Sequence, residues 1–172
     1  MHTQKHFSPA YKKRVDYDGG SHRTKRAAAG PLICPDCGSV YAKRRWVRAE
    51  DPQAVATVAA ADANLMRCPA CDAKAKHVIS GYLTLRGAFL AAHRDEIVRL
   101  ITNEADRAAD DNPTGRILGW DDKTPGELTL TTTTEHLVER LGRAVHHAFG
   151  GSIDYGFSHG NKFARATWER NE

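Results

Sequence analysis

Four cysteines, the only ones in a chain of 172 residues, fall into two like pairs, Cys34-Pro35-Asp36-Cys37 and Cys68-Pro69-Ala70-Cys71. A C-x-x-C turn bends the backbone so that two sulfurs face one point, and two such turns together supply four thiolates to a single ion. Four sulfurs close the tetrahedron and leave no position for water or substrate, so the expected role of Cys34, Cys37, Cys68 and Cys71 is structural. The expected cofactor is one Zn2+, with iron, which rubredoxin-type sites hold in the same knuckles, as the second candidate; spacing does not separate the two. A dithiol redox site fits less well, because two equal pairs point to one shared ion. The chain around the knuckles carries little core, so the ion is expected to decide whether this segment folds.

A second constellation follows the first knuckle. Lys43-Arg44-Arg45-Trp46-Val47-Arg48 sets four cations around an indole. That mixture suits phosphate contact combined with base stacking; the competing reading is a strand with one buried Trp46 and solvated neighbours. Lys74 and Lys76 are expected to join that surface, since a shared ion draws together the segments beside both knuckles. Histidine supplies the remaining candidates. His93 and Glu96 stand three apart and His159 sits in a Gly-bounded loop, but each reads first as a surface or packing residue. The adjacent His146 and His147 cannot face one point on a helix. Arg165 and Arg170 flank Trp168 on the last strand, where an exposed sheet face could serve as an RNA platform; the competing reading, from the alternation of Trp168 with Ala164 and Ala166, is core. The chain has no phosphate-binding loop motif, dinucleotide fingerprint, HExxH metalloprotease motif or GxSxG nucleophile elbow. No enzymatic activity is expected.

The elements that must position these residues fall into three stretches. Net charge is +4, but residues 1–30 hold seven Lys/Arg (Lys5, Lys12, Lys13, Arg14, Arg23, Lys25 and Arg26) against two Asp. Residues 31–172 carry 18 Lys/Arg against 19 Asp/Glu, a net of −1. The basicity is therefore concentrated in a stretch with few large apolar residues, which reads as a disordered arm able to neutralise phosphates. No run of about 18 apolar residues is present to span a bilayer. The polar start lacks the apolar segment of a secretory signal, so a cytoplasmic location with reduced thiols is expected.

Residues 31–76 form the metal module. Leu32-Ile33 enters the first knuckle as a strand, Val40–Ala42 returns, and a helix from Gln53 to about Leu65 is expected to bury Val55, Val58 and Ala59. Residues 77–172 read as a strand (Val78–Arg86), a helix (Ala88 to about Ala109), two strands (Gly115–Trp120 and Glu127–Thr131), a helix to Phe149 and two closing strands (Ser152–Phe157 and Phe163–Glu169). Thr132-x-x-Glu135 has the spacing of a capping box. The first six of these elements match the split βαβ layout. The expected fold class is α+β: a zinc ribbon with an inserted helix, joined to a ferredoxin-like domain with one extra strand.

Several stretches together carry a family resemblance: Cys34-Pro35-Asp36-Cys37-Gly38, Arg45-Trp46, Cys68-Pro69-Ala70-Cys71, Gly87-Ala88-Phe89-Leu90-Ala91-Ala92-His93-Arg94-Asp95-Glu96-Ile97, Thr131-Thr132-Thr133-Thr134-Glu135-His136-Leu137 and the Arg165-x-x-Trp168-x-Arg170 ending. The chain resembles a family of small bacterial zinc-ribbon proteins. That family is similar to the N-terminal zinc-binding part of the large-ribosomal-subunit export adaptor family. The resemblance covers roughly residues 30–172. It implies zinc ligation by Cys34, Cys37, Cys68 and Cys71, and association with ribosomal RNA or ribosomal particles.

The expected function is thus a non-catalytic zinc protein that binds RNA. Lys43, Arg44, Arg45, Trp46 and Arg48, with Lys12, Lys13, Arg14, Arg23, Lys25 and Arg26 of the arm, would supply the nucleic-acid contacts. The alternative is a protein-interaction adaptor or regulator that uses the near-neutral body as its contact face.

Overall fold

The computed structural model describes residues 30–60, 62–158 and 162–172. Lys12, Lys13, Arg14, Arg23, Lys25 and Arg26, and the loop residue His159, lie outside the described residues. The described residues combine four helices with two mixed sheets, an α+β organisation.

The smaller sheet belongs to the cysteine-bearing segment. Strands β1 (Leu32–Ile33), β2 (Val40–Ala42) and β3 (Arg45–Val47) form an antiparallel meander around the first knuckle, and β4 (Asn64–Leu65) pairs with β1 in parallel, giving the order β3-β2-β1-β4. Helix α1 (Pro52–Ala60) crosses between β3 and β4. On one side of this sheet Val40, Ala42 and Val47 pack with Ala54 of α1. On the other side Trp46 packs against the cysteines. Helix α2 (Pro69–Ala75) begins at the second knuckle, with Cys68 as its N-cap and Pro69 in the first turn, where a missing N–H costs nothing.

The larger sheet takes the order β6-β7-β5-β9-β8 from β5 (Gly81–Arg86), β6 (Ile117–Asp121), β7 (Glu127–Thr132), β8 (Ser152–Ser158) and β9 (Phe163–Glu169). Alternate residues of its three central strands are buried: Leu83 and Leu85, Leu128 and Leu130, Ala164, Ala166 and Trp168, as a one-sided pleat requires. Helix α3 (Ala88–Asp111) contributes Leu90, Ile97 and Ile101 to the same core, and α4 (Glu135–Phe149) contributes Leu137, Val138, Leu141 and Val145. Trp168 is fully buried, and its indole N–H donates to the Gly150 carbonyl at 2.7 Å, which satisfies the one polar group that burial would orphan.

Several expectations are corrected. A split βαβ sheet would set the strand after α4 beside the first strand. Here β9 pairs with β5 in parallel and β8 is displaced to the edge. Side-chain polarity accounts for the exchange: β9 offers Ala164, Ala166 and Trp168 to the core, whereas β8 is largely exposed and carries Ser152, Asp154 and Ser158. Helix α1 ends at Ala60 rather than near Leu65, and Asn64–Leu65 adds a strand to β1 instead. Val55, Val58 and Ala59 are exposed, and among the residues of α1 whose burial is described the buried one is Ala54, whose small side chain lets the helix lie close on β2. The cap of α4 falls two residues later than the capping-box spacing places it. Thr134 is the N-cap without a side-chain bond, and the Thr132 hydroxyl donates to the Thr134 carbonyl at 2.9 Å.

One glycine is required by geometry. Gly87 hands β5 to α3 at φ 108°, and a Cβ there would lie 2.2 Å from the Arg170 carbonyl oxygen. That oxygen accepts the Phe89 N–H and so seats the first turn of α3 on the end of β9. Gly87→Ala should destabilise the fold by about 2 kcal/mol or more. For a chain of this size that lowers the midpoint of thermal unfolding by roughly 4–8 °C; a differential scanning calorimetry trace that matches the parent would contradict this seating.

Candidate metal centre

The first knuckle is a backbone loop before it is a ligand pair. Cys34 N–H donates to the Ser39 carbonyl at 2.8 Å, and Gly38 N–H donates to the Cys34 carbonyl at 2.9 Å. Gly38 sits at φ 72°, the left-handed region where an L side chain is strained. In the second knuckle Cys71 N–H donates to Cys68 Sγ at 3.5 Å, and Cys68 N–H reaches across to Cys34 Sγ at 3.3 Å. Backbone donors thus already face sulfur, as anionic sulfur requires. An exposed ion pair, Arg67 Nε to Asp36 Oδ2 at 2.6 Å, also links the two knuckles.

The four Sγ atoms of Cys34, Cys37, Cys68 and Cys71 all lie within 4.8 Å of one another. A tetrahedral ion with bonds of about 2.3 Å sets its sulfurs about 3.8 Å apart, and Cys37 and Cys68 are 3.7 Å apart. All four are free thiols rather than disulfides. Cys34, Cys68 and Cys71 are buried and Cys37 is half-buried, with Ala70 and Trp46 packed around them. The donor set and spacing therefore suit one thiophilic ion held for structure. Among the described residues this is the one group that meets metal-binding geometry.

The four thiols are not equivalent. Burial pushes the Cys68 thiol up to about 11 and raises Cys71 further. Partial burial also works to raise Cys37. It is outweighed by the Ser39 side chain and backbone and by the Arg116 guanidinium, which bring Cys37 down to about 6. Arg116 is the residue that sequence reasoning missed. Its Nη2 lies 3.3 Å from Cys37 Sγ and 3.5 Å from Ser39 Oγ, and its Nη1 lies 3.9 Å from Cys71 Sγ. It stands 79 residues from Cys37 in sequence, and no spacing rule marks it.

The cationic run is divided by the structure. Lys43 and Arg44 form the two-residue turn between β2 and β3, at φ 48° and 68°, and with Arg45 they are exposed. Trp46 is half-buried on the cysteine cluster, 5.5 Å from the Tyr41 ring. Arg48 is bonded to Asp110 of α3 at 2.7 Å, with Glu50 at 3.8 Å. Lys74 is exposed, and Lys76 pairs with Asp72 at 2.8 Å. His93 stacks on Phe89 at 4.0 Å and pairs with Glu96 at 3.4 Å, while His146 and His147 are exposed in the last turn of α4. Arg165 lies over the Phe163 ring and Arg170 over the Phe89 ring. Among the described residues no helix is long and apolar enough to cross a membrane. Comparison with protein-family models, with curated proteins and with solved structures found no match to this chain.

Two outcomes follow. Purified protein should carry one divalent ion per chain by elemental analysis. Cys34→Ser or Cys68→Ser should abolish its retention and remove amide protection from residues 31–76, while protection of β5 and β9 persists. Metal uptake near neutral pH should also release the Cys68 and Cys71 protons, because both thiols are protonated there without metal. Affinity should therefore fall as pH is lowered. Calorimetric heats of binding that do not vary with the ionisation enthalpy of the buffer would contradict this.

Proposed function

We propose that the chain is a non-catalytic zinc protein that docks on RNA, with ribosomal RNA or a ribosomal particle as the partner. Residues 31–76 act as a zinc ribbon with an inserted helix, and residues 77–172 as a ferredoxin-like variant in which β9 enters beside β5. Zinc fits the four-thiolate donor set better than a harder ion would.

The observation that carries the RNA reading is the turn Lys43-Arg44. A two-residue hairpin turn with positive φ at both positions favours Asn-Gly, yet both positions here hold long cations in the left-handed region. That conformation costs about 1–2 kcal/mol per ordinary residue. Backbone strain retained at an exposed site is a mark of function rather than of folding. Three adjacent exposed cations, Lys43, Arg44 and Arg45, suit phosphate contact. The net +5 of residues 1–30 would add further phosphate contacts.

The adaptor reading is favoured by one observation of its own. Val55, Val58 and Leu65 are 58%, 37% and 72% exposed on α1 and β4, and apolar side chains left in water suit contact with a protein.

The double substitution Lys43→Asn with Arg44→Gly separates the two. It should stabilise the protein by about 1–2 kcal/mol through relief of strain, and it should weaken RNA binding at low salt. The slope of log affinity against log salt should fall by about 1.5–2 units. Filter retention on ribosomal RNA and co-sedimentation with ribosomal particles at several salt concentrations make the measurement. Absence of retention at low salt would overturn the RNA reading. A partner interaction that survives this substitution and is lost with Val55→Asp and Leu65→Asp would favour the adaptor.

A further inference from the structure

The metal centre is not confined to the segment that carries its ligands. Arg116 belongs to the connection between α3 and β6, and the body holds it in place. Its backbone N–H donates to Thr133 Oγ1 at 2.8 Å, and its Nε donates to the Pro113 carbonyl at 2.9 Å. Thr133 is itself buried and donates to the Thr114 carbonyl at 2.6 Å. With backbone and Nε fixed, the two terminal nitrogens project from the body towards one sulfur of each knuckle: Cys37 of the first and Cys71 of the second.

We propose that Arg116 is a positioning residue that offsets the charge of the loaded cage and thereby makes metal retention and the seating of residues 31–76 on the body a single coupled event. This rests on the metal-binding reading of the four cysteines and is independent of the RNA reading. A divalent ion with four thiolates leaves two negative charges in a site that is mostly out of water. A guanidinium stays protonated at all accessible pH and offers a planar fork. One such fork, with one arm on each knuckle, stabilises the loaded cage. Coupling of this kind is reciprocal: if the seated Arg116 tightens the ion, the ion tightens the seat. Loading the cage would then fix how the Lys43-Arg44 turn is presented relative to the larger sheet.

A second link crosses the same junction without touching sulfur, Arg48 to Asp110 at 2.7 Å, and it provides the control. Full-length wild type, Arg116→Gln, Arg116→Lys and Asp110→Asn would be compared in zinc competition against a chromophoric chelator. Arg116→Gln should lose about tenfold or more in zinc affinity, in the range seen for partners that orient metal ligands. Arg116→Lys should fall between it and wild type, since it keeps the charge but not the fork. Asp110→Asn removes only an exposed ion pair from the same junction, so through the same coupling it should lose no more than about threefold.

Cobalt substitution supplies a readout that a mere structural brace would not move. The thiolate-to-cobalt charge-transfer band should shift in both Arg116 variants while its intensity still reports four sulfurs. Amide exchange should show that zinc protects residues 112–117 in wild type and not in Arg116→Gln. If the glutamine variant fails to fold, the lysine variant and its cobalt spectrum decide. Wild-type affinity and spectrum in both Arg116 variants would overturn the proposal, as would an Asp110→Asn loss equal to that of Arg116→Gln. A wild-type protein that takes up no metal would overturn both this proposal and the reading beneath it.

Discussion

Four sulfurs gathered within 4.8 Å of one another, three of them buried, are the constraint on which residues 31–76 depend. As thiolates they repel, and burial raises the cost of each charge. A cation held at their centre would convert that repulsion into the strongest link in the segment. Little else there could replace it. β1 and β4 are two residues long, β2 and β3 three, and the apolar packing against α1 rests on Val40, Ala42, Val47 and Ala54. The larger sheet needs no such device, because α3 and α4 cover one face of five strands with a continuous apolar core.

The cage also organises what surrounds it. Trp46 covers the sulfurs from β3, so the indole is drawn towards the centre. Arg48 turns away to α3 and Arg116 turns in from the body, so arginines cross the junction in both directions. What is left facing water is the strained tip of the β2–β3 hairpin, with Lys43, Arg44 and Arg45. The position of these cations thus follows from the metal centre, even though none of them touches it.

How much of this the chain declares in advance depends on the range of the signal. Two C-x-x-C pairs specify a four-thiol cluster locally, because each turn is built within four residues. Period-two and helical patterning likewise place Leu83, Leu85, Ile97, Leu141 and Trp168 in the core. Pattern reports which way a side chain faces and not which strand lies beside it, so the insertion of β9 next to β5 was not legible. In α1 the apolar valines suggested the wrong face, because close approach to β2 favoured the small Ala54 over them. Arg116 was the least legible of all: a guanidinium 79 residues from its sulfur becomes part of the site only once β6 and β7 are folded. Lys43 and Arg44 were legible as cations, but the strain that sets them apart is a property of the backbone.

The most direct test is X-ray absorption at the metal edge of the purified full-length protein. The account predicts zinc in a single shell of four sulfurs at about 2.3 Å, with no oxygen or nitrogen scatterer. A shell containing light-atom ligands, or sulfurs found bonded to each other with no metal present, would contradict it.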